Sequence, residues 1–228
     1  VLDESVDDGS GGNDDGTGAF IWGAGAALAS YLYRSDVLRD QLRNSHVLEL
    51  GCGTAVVSIA AAAAGAKRVL ATDLPSRLQA AKRNVAANDA LVGTGVVRVA
   101  ALDWNEGEDG VRRVVAEDED EDGFDLVFGA DLTYEPAALG PLARTVAAAV
   151  RLGGGRRRGG GDARSPPTVL LAHRPRSREV DALMMQAFAA EGLALVEDGA
   201  ELTGLDGDGG DKGGGDGEPL ILYRVVLA

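Results

Sequence analysis

The sequence predicts an α/β fold: a seven-stranded sheet, mostly parallel, ending in a C-terminal antiparallel hairpin, with helices on both faces. Three observations predict it. Short apolar runs alternate with segments of helical period along most of the 228 residues, the pattern of successive β-α crossovers. The run Val47-Leu48-Glu49-Leu50 leads into Gly51-Cys52-Gly53 and then into an alanine-rich segment, a strand, tight turn and helix start of the kind that holds nucleotide-like ligands in open sheets. The last two strand-like runs are joined by a stretch without helical pattern, which suits antiparallel pairing rather than a crossover.

Residues 1–18 are rich in Asp, Gly and Ser and are expected to form a disordered tail. Residues 19–228 suffice for a single domain with a real core. From Phe20 onward Trp22, Ala26, Leu28, Ala29, Leu32 and Tyr33 fall at three- and four-residue steps, an amphipathic helix laid on the sheet. Ser35-Asp36 interrupts it, and residues 37–42 make a short second helix. The first strand is 47–50, and the helix behind the glycine turn is 56–64, ended by Gly65. The second strand, 68–72, carries Asp73 at its C-terminal end. Pro75, tolerated in a first turn, opens a helix to about residue 88. The third strand is 96–102, closing on Asp103-Trp104.

Residues 105–122 read as a polar loop with a short helix at 111–116. Its acidic run 117–122 is a solvated segment, because adjacent carboxylates repel in any packed state. The fourth strand, 124–128, ends in Gly129-Ala130-Asp131. A helix follows at 136–152 through Leu139, Leu142, Val146 and Val150, then a Gly/Arg-rich loop at 153–164. Strand five is 168–172, a helix 177–191, strand six 193–197, a Gly/Asp-rich loop 203–218 and the final strand 220–227.

Composition excludes several classes. Lys plus Arg is 22 against 36 Asp plus Glu, a net charge of −14, which disfavours nucleic acid as a partner. The single cysteine, Cys52, makes no internal disulfide and fits a reducing compartment. No signal-peptide pattern is visible, and the longest apolar run, 56–64, contains Ser58 and is far shorter than a membrane span. The expectation is a monomer in the cytoplasm, with the nucleus second and no membrane partner. Two histidines and one cysteine provide no metal-ligand cluster.

The chemistry is carried by the glycine turn. Glu49 precedes it, and Asp73 follows Gly53 by twenty residues at the tip of the next strand, placed to accept the hydroxyls of a ribose. A full dinucleotide fingerprint needs a third glycine where this chain has Val56. Without it a pyrophosphate is harder to seat, whereas a phosphate-free adenosine cofactor needs only the turn and the two acids. S-adenosylmethionine is such a cofactor. A bare Gly-x-Gly can equally be a structural turn, and its coupling to Asp73 favours the functional reading.

Three further pieces narrow this: Trp22 shortly before the first strand, Leu102-Asp103-Trp104 after the third, and Asp131-Leu132-Thr133-Tyr134 after the fourth. With them the chain resembles the class I, seven-strand, Rossmann-like methyltransferases, and within these the small protein-lysine methyltransferases acting on non-histone proteins such as chaperones and elongation factors. The match runs from about Phe20 to Tyr134 in motifs. The resemblance implies that Gly51, Cys52, Gly53 and Thr54 line the methionine part, with Glu49 beside them. It puts Asp73 and Leu74 at the ribose, Asp103 and Trp104 near the adenine, and Trp22 and Ala130 at the edges of the pocket. Asp131 and Tyr134 fall where a substrate amine enters, as the catalytic pair. One departure is Ala55, where the family has glycine.

Each residue also has a structural reading. Trp22 can anchor a core, Trp104 can pack at a rim, Asp131 can cap the helix at Pro136, and Tyr134 can pack with its hydroxyl bonded. His46 and His173 need no catalytic role, no histidine is placed to activate Cys52, and Arg156-Arg157-Arg158 reads as a solvated loop. The competing functions are a methyltransferase of small molecules or nucleic-acid bases, and a non-catalytic Rossmann-like module or nicotinamide-dependent oxidoreductase. The first is weakened by the lack of paired prolines around Asp131 to Tyr134, the second by Val56.

Overall fold

In the computed structural model the residues described are 23–117, 123–152, 166–202 and 219–228. The expected tail at 1–18, Phe20 and Trp22, most of the acidic run, and the loops at 153–164 and 203–218 lie outside them. Seven strands form one sheet: β1 (His46–Leu50), β2 (Arg68–Asp73), β3 (Val97–Ala101), β4 (Leu126–Ala130), β5 (Thr168–His173), β6 (Leu193–Glu197) and β7 (Ile221–Leu227). Their order is β3-β2-β1-β4-β5-β7-β6. The first five are parallel, and β7 is antiparallel to both β5 and β6. The expected hairpin is present, and β7 inserts between its partner and the parallel block.

The helices are α1 (Gly23–Arg34), α2 (Asp36–Leu42), α3 (Val56–Ala63), α4 (Leu78–Ala87), α5 (Asp89–Val92), α6 (Gly107–Glu117), α7 (Leu139–Leu152) and α8 (Arg178–Ala190). Ser35 separates the first two because its side chain accepts the Leu38 N–H as an N-cap. The apolar stripes of α1 to α5, with Leu28, Leu32, Leu42, Val57 and Val85, bury against one face of the sheet. Those of α6 to α8, with Val114, Leu142, Val146 and Phe188, bury against the other. Strand alternation divides β1 between them: Val47 joins the first core and Leu48 and Leu50 the second. Every residue of β1 is buried, as a central parallel strand covered on both faces requires.

Three boundaries differ from the sequence reading. The fourth strand is Leu126–Ala130, two residues later than expected, because buried Phe124 packs into the second core ahead of the sheet. The helix expected to run to residue 88 is a 3-10 turn (Pro75–Arg77), then α4 and α5. The helix expected at 111–116 starts at Gly107, since Asp103 and Glu106 form a capping box around the turn that precedes it. Val111 and Val114 bury one face of α6, and Arg112 pairs with Glu108 on the other. No described helix is long and apolar enough to cross a membrane.

Candidate active site

The register aligns Leu50 with Thr72 and Gly129, and Ala130 with Ala172. The tips of β2, β1, β4 and β5 therefore stand in a row. From β1 the chain winds outward through β2 and β3, then returns to β4 on the other side of β1. The crevice between β1 and β4 is the switch point at which open sheets bind ligands.

The turn after β1 is left-handed at three alternate residues: Gly51 at φ 60°, Gly53 at φ 51° and Ala55 at φ 62°. A Cβ on Gly51 would fall 2.6 Å from Leu132 Cδ2 and 3.3 Å from Trp104 Cζ2, so glycine is needed for space as well as for backbone. Asp73 fixes the turn: one carboxylate oxygen accepts the Gly53 N–H at 2.8 Å and the other the Leu74 N–H at 2.8 Å. Cys52 N–H reaches Thr72 O at 2.9 Å, a second tie from turn to β2.

The Cys52 side chain packs into the first core, where burial pushes its thiol well above the ordinary value and so disfavours the thiolate. Thr54 is buried and its carbonyl accepts Asn84 Nδ2 at 3.0 Å.

Glu49 lies beneath the turn, on the α3 face of β1. Its carboxyl accepts the Ser58 N–H at 2.9 Å and is also bonded by the Ser58 hydroxyl. Burial pushes it up to about 8, against the Ser58 bonds that lower it, and the charge of Asp73 adds to the rise. With Glu49 held neutral and Asp131 matched by Arg176, the Asp73 carboxylate is the negative charge beside the turn, which suits hydroxyl donors and a cationic cofactor more than a diphosphate.

Beyond β3, Asp103 Oδ1 accepts both the backbone N–H and Nδ2 of Asn105 at 2.9 Å, so that oxygen braces its own turn. Trp104 is half-buried against the second core, with its ring beside Gly51 and its carbonyl accepting Thr145 Oγ1 at 3.4 Å. Ala130 at the tip of β4 touches the path of α1, where Gly25 lets the helix approach Val56 and Ala130. Trp22, immediately before α1, lies outside the described residues.

The loop after β4 is pinned at three points. Asp131 is left-handed at φ 56°, its N–H donates to Ala172 O at 2.9 Å, and its buried carboxylate is held by Arg176 Nη2, 2.9 Å from each oxygen. The carboxylate is the buried partner and the guanidinium the more exposed one, so the pair chiefly spares Asp131 from standing as an unmatched buried charge. Thr133 Oγ1 lies 2.8 Å from His173 Nδ1, and His173 Nε2 lies 3.0 Å from Asp181 Oδ1. A carboxylate only accepts, so Nε2 carries the proton and Nδ1 accepts from the threonine; burial holds the ring below its ordinary pKa. Tyr134 is exposed, and its hydroxyl accepts Arg77 Nη1 at 2.9 Å. Because β2 and β4 flank β1, that bond joins the two sides of the glycine turn. Glu135, rather than Asp131, caps the turn at Pro136.

Glu49, Gly51, Gly53, Asp73, Trp104 and Asp131 are thus gathered at one end of the sheet. Ser58, Arg77, His173, Asp181 and Arg176 are additions. The Arg174-Pro175-Arg176 run after an apolar strand was the one visible signal for the last. Among the described residues no group of three or more His, Cys, Asp or Glu could hold a metal.

This fold and edge define a Rossmann-like class I methyltransferase architecture. Magnesium protoporphyrin IX methyltransferase from Synechocystis, solved with S-adenosylmethionine, aligns over 90% of this chain and 78% of its own at TM-score 0.52 and 14% identity. The pyocyanin biosynthetic protein PhzM aligns over 89% and 55% at TM-score 0.54 and 13% identity. The chain belongs to the lysine methyltransferase family, whose model matches residues 8–153. It is 37% identical over 119 residues to mouse EEF1A lysine methyltransferase 3 (52% of this chain, 45% of that one). It is 32% identical over 131 residues to zebrafish protein N-lysine methyltransferase METTL21A (58% and 55%), and 30% over 131 residues to histone-arginine methyltransferase METTL23 of Xenopus laevis (57% and 50%). The chain spans about half the length of these curated relatives.

Ala55 is fully buried. Left-handed backbone costs an L-residue about 1–2 kcal/mol, but glycine there would forfeit a buried methyl, about 0.8 kcal/mol, and about 0.5–1 kcal/mol of chain entropy. These offset, so Ala55→Gly is expected to change stability by less than about 1 kcal/mol in urea denaturation. Ala55→Val, β-branched and without space, is expected to lose more than about 2 kcal/mol.

Glu49 predicts a pH dependence. Its folded value near 8 exceeds the ordinary 4.5, so the folded protein keeps a proton that the unfolded chain releases. The stability from this group is complete below 4.5 and is lost as pH rises through about 8. Thermal melts across that window should show Tm falling with pH, and Glu49→Gln should flatten the slope.

Proposed function

We propose that this chain is an S-adenosylmethionine-dependent methyltransferase that modifies lysine side chains of a protein substrate. The observation that carries it is the pairing, across the β1/β4 crevice, of an Asp73-anchored glycine turn with the buried carboxylate of Asp131. Membership of the family supports lysine as acceptor, and relatives named for EEF1A and for protein N-lysine methylation support a protein substrate.

The residues fit the cofactor. The backbone of Gly51 and Gly53 would carry the methionine end, with Glu49, Cys52 and Thr54 beside it; Leu132 and Trp104 pack where a Gly51 Cβ would stand. Asp73, with Leu74, offers its carboxylate to the ribose hydroxyls, and Trp104, braced by the Asp103 turn, offers a flat wall to the adenine. Ala130, at the tip of β4, borders the pocket. Bound there, S-adenosylmethionine supplies a methyl group on a positively charged sulfur. The protein's part is mostly alignment, which can account for much of the rate. A lysine acceptor, with a free pKa of about 10.4, must lose its proton before it attacks. Asp131 binds and orients the arriving ammonium, the proton leaves to water, and Tyr134 borders the channel.

Incubation with isotope-labelled S-adenosylmethionine and a cell lysate, followed by mass spectrometry, should place label on lysine side chains. Label confined to arginine, RNA or small molecules contradicts the reading. Asp131→Ala should lower turnover by roughly a hundredfold through lost alignment, and unchanged turnover removes its role.

A further inference from the structure

Asp131 and Arg176 are unequal partners. The aspartate is fixed: its backbone is left-handed, its N–H is bonded to β5, and its side chain is 4% exposed. The arginine sits on residues 174–177, between β5 and α8 and outside either element, and its side chain is 28% exposed. It does not grip the carboxylate as a two-nitrogen fork. A single nitrogen, Nη2, lies 2.9 Å from both oxygens, which forgoes the parallel two-bond geometry that makes guanidinium–carboxylate pairs strong and specific. A point cation on a rigid, buried carboxylate is also what an alkylammonium offers.

We propose that Arg176 is a placeholder for the substrate's cation: it occupies the seat on Asp131 that an incoming primary alkylammonium takes, so that substrate entry is an exchange of one cation for another. The proposal rests on the reading of Asp131 as the residue that meets the acceptor amine. Arg176 is then a specificity-determining residue that acts through Asp131. It keeps the carboxylate from standing unpaired in the empty site, where an isolated buried charge is unfavourable, and sets the threshold a substrate cation must exceed. No bond is made or broken in the exchange. Arg176 swings toward solvent as the ammonium arrives, and total charge at the seat is unchanged.

The test uses n-butylammonium, a primary ammonium on a four-carbon chain, as probe, with calorimetry on the full chain and no methyl transfer. Arg176→Gln is expected to bind it at least about tenfold more tightly than wild type, equivalent to about 1.4 kcal/mol. Arg176→Lys should restore weak binding, and Arg176→Gln combined with Asp131→Asn should abolish the gain. With an unmodified lysine peptide that the enzyme methylates, Arg176→Gln should lower KM while kcat stays within about threefold, a split that general destabilisation does not produce. Unchanged or weaker butylammonium binding in Arg176→Gln overturns the proposal. Should that variant not fold, the wild-type Arg176 Nη–H resonances, which report the contact with Asp131, decide. Their shift toward the free-arginine position on saturation with butylammonium supports exchange, and their constancy overturns it. Failed exchange with lysine still methylated rejects this proposal alone. Exchange without lysine methylation rejects the function alone.

Discussion

The interaction on which the site depends is the pair of backbone hydrogen bonds to the Asp73 carboxylate. With one oxygen on Gly53 N–H and the other on Leu74 N–H, Asp73 ties the tip of β2 to the turn leaving β1. That turn runs left-handed at Gly51, Gly53 and Ala55, so its path is set by residues that accept such backbone and by the anchor that holds them. Everything placed over it inherits that position: Trp104 and Leu132 close on the space Gly51 leaves, and α3 starts immediately after Ala55.

Beneath the turn the sheet contributes a second constraint. Alternation along β1 sends Glu49 toward α3 instead of toward solvent, and Ser58 in the first turn of that helix is its donor. A carboxyl there is held largely neutral by burial up to about pH 8, so it is a hydrogen-bond bridge between strand and helix more than a fixed charge. On the far side of the crevice the same economy of polar atoms recurs. Asp131 is matched by Arg176, Thr133 by His173, and His173 by Asp181, so the loop after β4 is rigid although it carries no regular structure.

Strand and helix identities were legible because a parallel sheet buried on both faces writes itself as apolar runs, and crossover helices as three- and four-residue spacings. The glycine turn with Asp73 was legible for the same reason: its chemistry is local in sequence, or set by one β-α-β unit. The partners of Asp131 and Thr133 were not. His173 ends the next strand, Asp181 lies on the helix after it and Arg176 on the connection between them, forty residues or more away from Thr133 and Asp131 for the direct contacts, and only the register of β4 with β5 brings them together. Ala55 was visible as a departure from glycine, but not that its backbone would remain left-handed. Phe124 read as strand because burial and strand pairing leave the same apolar signature.

On the proposed function, the Asp73-anchored turn seats a phosphate-free adenosine cofactor. Calorimetric titration with S-adenosylmethionine and, separately, NAD tests it on the wild type and on Asp73→Ala. Saturable binding of S-adenosylmethionine is expected, weakened roughly ten- to a hundredfold in the variant, as loss of hydrogen bonds to a charged group implies, with no NAD binding in either. NAD binding without S-adenosylmethionine binding, or equal S-adenosylmethionine affinity in Asp73→Ala, would contradict it.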